Sequence, residues 1–114
     1  MVSSFGEQLR RASLRTAVLA ALDSADALFG LDVLRTLRQS ATMATTEGSI
    51  YPLLHRLERE GLVESSWALA TKPKPRRYYR LTALGSQTLA ADRADWSNFA
   101  PAFSDIITSE GTHE

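Results

Sequence analysis

GSIYPLLHRLEREGLVESSWALATKPKPRRYYRLT, residues Gly48–Thr82, is the most informative stretch of the chain. Its first half places Ile50, Leu53, Leu54 and Leu57 at i, i+3, i+4 and i+7, the spacing of one helix face. Gly61 stops that helix, because glycine accepts the left-handed backbone that often closes a helix C-terminus. Pro52 constrains where the helix begins. A proline deep in a helix costs about 3 kcal/mol. With Ser49 as N-cap Pro52 falls in the first turn, and with Thr46 as N-cap that turn is distorted. The regular helix is expected over Ser49–Glu60, with looser turns from Thr46. Leu62–Trp67 and Arg76–Leu81 are rich in valine, tryptophan and tyrosine and read as two strands. Pro73 and Pro75 do not suit a central strand and fit the tip between them. A helix followed by a basic-tipped hairpin has the order of a winged helix-turn-helix. One element suits the major groove and the other suits the phosphate backbone.

Working outward, Ser4 and Glu7 form an S-x-x-E capping box, which predicts a helix to about Asp23. Leu14, Val18, Ala21 and Leu22 give it a core face. Phe5 and Leu9 extend the stripe beyond what a small domain needs for itself. SADALFG reads as a loop, and no strand beyond the hairpin pair is evident. A second helix follows over about Gly30–Gln39, with Leu31, Leu34 and Leu37 on one face. SATMATTEG is polar and rich in turn residues. Downstream, Thr82 caps a last helix that runs to about Ile107, although Gly85 stands where the reciprocal glutamate of a capping box would sit. Leu89, Trp96 and Phe103 recur every seven residues, as do Asp92, Phe99 and Ile106, in a coiled-coil-like seam. Pro101 lies inside this helix and predicts a kink or a split near Asn98–Ala100.

The expected fold class is mainly α (α+β): a winged helix-turn-helix with a two-stranded β wing and a long C-terminal dimerisation helix. Residues 1–81 would form the winged domain with its N-terminal helix extension. Residues 82–114 would form the dimerisation helix and a frayed tail.

Composition narrows the function. A chain of 114 residues suits one domain, and 44% apolar content is enough to build a core. The absence of cysteine excludes a disulfide scaffold and a cysteine-ligated zinc site. His55 and His113 have no carboxylate cluster at metal-ligand spacing, so no metal or other cofactor is expected. No apolar run approaches the ~18 residues of a spanning helix, and the N-terminus shows no secretory pattern. No membrane partner is expected, and the expected location is cytoplasmic. There is no G-x-S-x-G, H-E-x-x-H, P-loop or G-x-G-x-x-G motif, and the reading is not an enzyme.

The net charge is zero, yet residues 65–91 hold Lys72, Lys74, Arg76, Arg77 and Arg80 without an acid. Residues 92–114 hold Arg93 against Asp92, Asp95, Asp105, Glu110 and Glu114. Charges are screened beyond ~8–10 Å, so a basic patch attracts phosphate on a neutral protein. Lys72, Lys74, Arg76 and Arg77 are therefore candidate phosphate contacts, in a loop stiffened by alternating prolines. With the leucines of the third helix inward, Gly48, Tyr51, Pro52, His55 and Arg59 face outward. Tyr51 and His55 are candidates for base edges, and Thr46 and Ser49 for phosphates at the helix start. Phe5, Leu9, Leu89, Trp96, Phe99, Phe103 and Ile106 are the candidate dimer interface. Trp96 and Phe99 are also candidates for holding a planar aromatic ligand, set against the simpler reading of dimer packing alone.

IYPLLHRLEREGLV, then Trp67, then PRRYYRLT closely followed by Gly85, resembles the PadR family of bacterial transcriptional regulators. LRRASLRTAVLAAL and FGLDVLRTL fit its first two helices, and the length resembles the short subfamily with a single C-terminal helix. The resemblance covers about Leu9–Ala90 and continues more loosely through Trp96. It implies a homodimer on a palindromic double-stranded DNA operator. It also implies repression of a nearby promoter, often released by a small molecule. By position, Tyr51 and Pro52 would belong to the recognition helix, Arg76, Arg77, Tyr78 and Tyr79 to the wing, and Trp96 to the dimerisation helix. The alternative is a winged-helix protein–protein adaptor that does not read DNA.

Overall fold

The Ser4 capping box forms. Ser4 Oγ accepts the Glu7 N–H at 3.1 Å, and the Glu7 carboxylate accepts the Ser4 N–H at 3.0 Å. It opens helix α1, Phe5–Asp23, in a computed structural model that describes residues 3–68 and 76–109. Lys72, Lys74, Pro73, Pro75 and His113 lie outside the described residues. Helix α2 spans Gly30–Arg38 and buries Val33, Leu34 and Leu37. A short 3-10 turn, Ala41–Met43, leads to helix α3, Glu47–Arg59. Strands β2, Val63–Ala68, and β3, Arg76–Leu81, precede helix α4, Ala83–Ile107.

The sheet differs from expectation. It has three strands, with β3 between β2 and an added strand β1, Leu28–Phe29, and all neighbours are antiparallel. Strand β1 lies inside the segment read as a loop and pairs with Tyr79 and Tyr78. Two residues are too few for an alternating pattern, so β1 left no sequence signal. Pairing covers the free edge of β3, and the Phe29 ring stacks on Tyr78 at 4.0 Å between centroids.

Helix α3 begins two residues earlier than the expected Ser49. The N–H groups of Ser49 and Ile50 both reach the Thr46 carbonyl, at 3.1 and 3.0 Å. Pro52 forfeits one bond, to the Gly48 carbonyl, and Gly48 is exposed, so water can take that acceptor. The other end closes as predicted. Gly61 has φ 79°, Leu62 N–H bonds the Leu57 carbonyl at 2.9 Å, and Gly61 N–H bonds the Glu58 carbonyl at 3.0 Å. These two bonds are a Schellman motif.

Helix α4 is also continuous, so of the expected kink or split near Asn98–Ala100 the split does not occur. The carbonyl that Pro101 leaves without a donor belongs to Ser97, which is exposed and can be hydrated. The cap stands without its glutamate: Thr82 Oγ1 accepts the Gly85 N–H at 3.0 Å. Glycine is required there for another reason. A Cβ on Gly85 would overlap the Leu62 carbonyl oxygen, so α4 starts in backbone contact with the turn between α3 and β2.

The core joins Val18, Leu19 and Leu22 of α1 to Val33 and Leu34 of α2, Ile50, Leu54 and Leu57 of α3, Val63, Tyr79 and Leu89. Leu89 was expected in an interface between chains. It is 1% exposed in the single chain, because the first half of α4 packs on α1, and so belongs to the core. Thr16 Oγ1 donates to the Asp92 carboxylate at 2.7 Å, and Phe5 meets Phe103 at 5.8 Å, so α1 and α4 run antiparallel. Among the described residues, no helix is long and apolar enough to cross a membrane.

Candidate nucleic-acid interface

Burial of Ile50, Leu53, Leu54 and Leu57 leaves the opposite face of α3 open. Thr46, Gly48, Ser49, Pro52, His55, Arg56 and Arg59 are exposed there or at the helix start. Thr46 Oγ1 donates to Ser49 Oγ at 3.4 Å, which holds two hydroxyls together at the helix start. Free N–H groups and the positive end of the helix dipole favour an anion at such a start. Arg56 was not singled out in the sequence. Its position beside the leucine stripe gave no signal beyond its charge.

Tyr51 departs from the expected outward position. It is half-buried and packs on the core. A Cβ on Gly30 would lie 2.5 Å from Tyr51 Cε1, so the missing side chain at the start of α2 makes the slot for this ring. Helical spacing places Tyr51 at the border of the apolar stripe, and the neighbouring glycine decides the side.

The segment before α3 is held by two arginines that sequence reasoning also missed. Arg10 Nε donates to the Thr42 carbonyl at 3.3 Å, and Arg38 Nε to the Thr45 carbonyl at 3.1 Å. Both contacts are to backbone carbonyls, a partner that residue type does not announce.

The two described wing arginines point to different partners. Arg76 is exposed, with its guanidinium 5.0 Å from the centroid of the Phe29 ring. Arg77 is half-buried. Its Nε donates to Ser65 Oγ at 2.9 Å, a terminal nitrogen is 3.8 Å from the Glu58 carboxylate, and the guanidinium lies 5.3 Å from the Trp67 ring centroid. A cleft of about 220 Å³ between β1, α3 and β3 is lined by Phe29, Gly30, Leu31, Tyr51, Arg76, Arg77 and Tyr79. Burial pushes the Tyr79 hydroxyl above its ordinary pKa, the Arg77 charge opposes this, and Glu58 and Tyr51 add to the rise.

At the far end of α4, Trp96 is 63% and Phe99 54% exposed. Trp96 lies 6.3 Å from Phe99, and Phe99 5.3 Å from Phe103, which meets Phe5 of α1. Leu9 and Ile106 are exposed as well. In the single chain this forms an open aromatic surface across two helices.

The family model of the transcriptional regulator PadR-like family matches residues 18–91. No curated protein matches the chain. Among solved structures, the chain is similar to a PadR family transcriptional regulator from Eggerthella lenta. They share 29% identity over 90% of this chain and 88% of that one, with a TM-score of 0.79. A PadR-like transcription factor from Bacteroides fragilis also shares 29% identity, over 88% and 95% of the two chains, with a TM-score of 0.73. A PadR-like regulator from Bacillus cereus, at 24% identity over 90% and 99%, has a TM-score of 0.80 and supports the fold. With the family model spanning more than half of the chain and the winged architecture in place, the chain belongs to the PadR-like family of transcriptional regulators, which are DNA-binding proteins and not enzymes.

Proposed function

We propose that the protein is a homodimeric, sequence-specific DNA-binding repressor released by a small molecule. Residues 1–81 would read DNA and residues 82–114 would pair two copies. The exposed face of α3 beside a basic strand carries this reading. His55 and Pro52 would meet base edges, with Thr46, Ser49, Arg76, Lys72 and Lys74 on phosphates. Phe5, Leu9, Trp96, Phe99, Phe103 and Ile106 would be covered by the second copy, and a two-fold axis suits a palindromic operator. Trp96 and Phe99 would accept a planar aromatic effector at that junction. Coupling of the two parts is supported by Thr82, whose N–H bonds the Leu62 carbonyl at 3.1 Å and whose Oγ1 donates to the Gly61 carbonyl at 2.6 Å, joining the start of α4 to the turn after α3.

Sequencing the genomic fragments that the pure protein selects, then titrating one across salt, tests the reading. About three phosphates neutralised per protomer, by Arg76, Lys72 and Lys74, give a log–log salt slope near −5 for the dimer. No enriched fragment, or an affinity nearly independent of salt, would replace this reading with the protein–protein adaptor. Planar aromatic compounds should quench tryptophan emission and lower DNA affinity together. Quenching alone would uncouple the ligand from repression.

A further inference from the structure

Three side chains from three elements meet behind the exposed face of α3. Ser65 Oγ of β2 donates to Glu58 Oε2 of α3 at 2.6 Å. Ser65 Oγ in turn accepts the Arg77 Nε–H of β3 at 2.9 Å. Arg77 also lies 3.8 Å from Glu58 Oε1, and its guanidinium faces the Trp67 ring. The polarities agree: the guanidinium only donates, the carboxylate only accepts, and the hydroxyl does both. The helix offered to the groove is thereby joined to both long strands of the wing.

We propose that Arg77 is a positioning residue and not a phosphate contact. With Glu58 and Ser65 it locks the wing at a set angle to α3, so that phosphate contacts at the wing hold α3 in register. The proposal rests on the DNA-binding reading above. A guanidinium bonded to Ser65, paired with Glu58 and within cation–π reach of an indole has to leave all three to reach a phosphate. The planar fork makes this set of contacts possible, and a lysine cannot reproduce it. Glu58 provides the sharp distinction. On charge alone, removing an acid near DNA strengthens binding. If Glu58 is part of a lock, removing it weakens binding.

The test uses the full chain, the fragment that the wild type selects and an unrelated duplex of equal length. Glu58→Gln and Arg77→Lys should each weaken binding to the selected fragment about tenfold, a typical coupling for contacting residues. The salt slope should not change, the unrelated duplex should be bound almost as before, and the double variant should be no worse than either single one. The proposal is overturned if Glu58→Gln binds as well as or better than wild type. It is also overturned if Arg77→Lys binds normally while Arg77→Ala loses about 2 from the slope, as one phosphate per protomer requires. The lock is read without DNA in a Trp96→Phe background, where Trp67 is the remaining tryptophan. Glu58→Gln and Arg77→Lys should shift Trp67 emission, and unchanged emission overturns the lock. If the wild type selects no DNA, the DNA-binding reading fails while the emission result still judges the lock.

Discussion

Helices α3 and α4 begin from the same kind of sequence and end in different surroundings. Each carries an apolar stripe at spacings of three and four, and each runs through a proline. In α3 the whole stripe is buried by α1, α2 and the sheet. In α4 the fold covers Leu89, while Trp96, Phe99 and Ile106 stay bare. An amphipathic pattern therefore states that a face needs cover. Whether the cover comes from the same chain depends on how far the other elements reach. Helix α1 reaches back along α4 to Phe103, but one helix covers only one side of another.

The comparison can be broken at its buried side first. Leu54→Ala, at a site with 0% exposure, should destabilise the protein by about 2–5 kcal/mol. Phe99→Ala should leave protomer stability within about 0.5 kcal/mol, as surface changes do. Urea melts at high dilution would read both, and equal losses would mean that Phe99 belongs to the protomer core. Next is the junction between the helices. Gly85→Ala should cost about 2–3 kcal/mol, because the added methyl meets backbone, which yields less readily than a side chain. A wild-type midpoint would show that α4 can start further from Leu62 than it does here.

The bare side is tested by association. Trp96→Ala should raise the dimer dissociation constant about 30-fold, the effect of a 2 kcal/mol hot spot. Sedimentation over a concentration series measures it. An unchanged constant would take the aromatic surface out of the dimer.

The smallest effect concerns the sheet beside α3. Burial raises the Tyr79 pKa, so the folded state keeps that proton to higher pH than the unfolded chain. Stability from this source is complete below pH 10.0, the ordinary tyrosine value, and is lost as pH rises through the folded value. Urea midpoints at increasing pH above that point should fall further for wild type than for Tyr79→Phe. Parallel curves would mean that Tyr79 does not report this environment.

Much of this was legible because the signals are local. Ser4 and Glu7 lie one turn apart, and Gly61 accepts the left-handed backbone that closes α3 without help from distant segments. The strands Val63–Ala68 and Arg76–Leu81 differ from their predicted bounds by one residue at most at each end. The misses are contacts between distant segments. β1 exists because β3 offers an edge, Tyr51 turns inward because Gly30 leaves a slot, and Arg77 has partners on α3 and β2. Neither proline interrupts its helix, and the carbonyls they orphan belong to the exposed residues Gly48 and Ser97.

Periodicity, caps and turn chemistry act over a few residues, and they wrote the order of helices and strands into the chain. Burial, side-chain direction and pairing depend on which elements pack together. Only packing could separate Leu89 from Trp96 within one seven-residue repeat, or Arg77 from Arg76 within one basic pair.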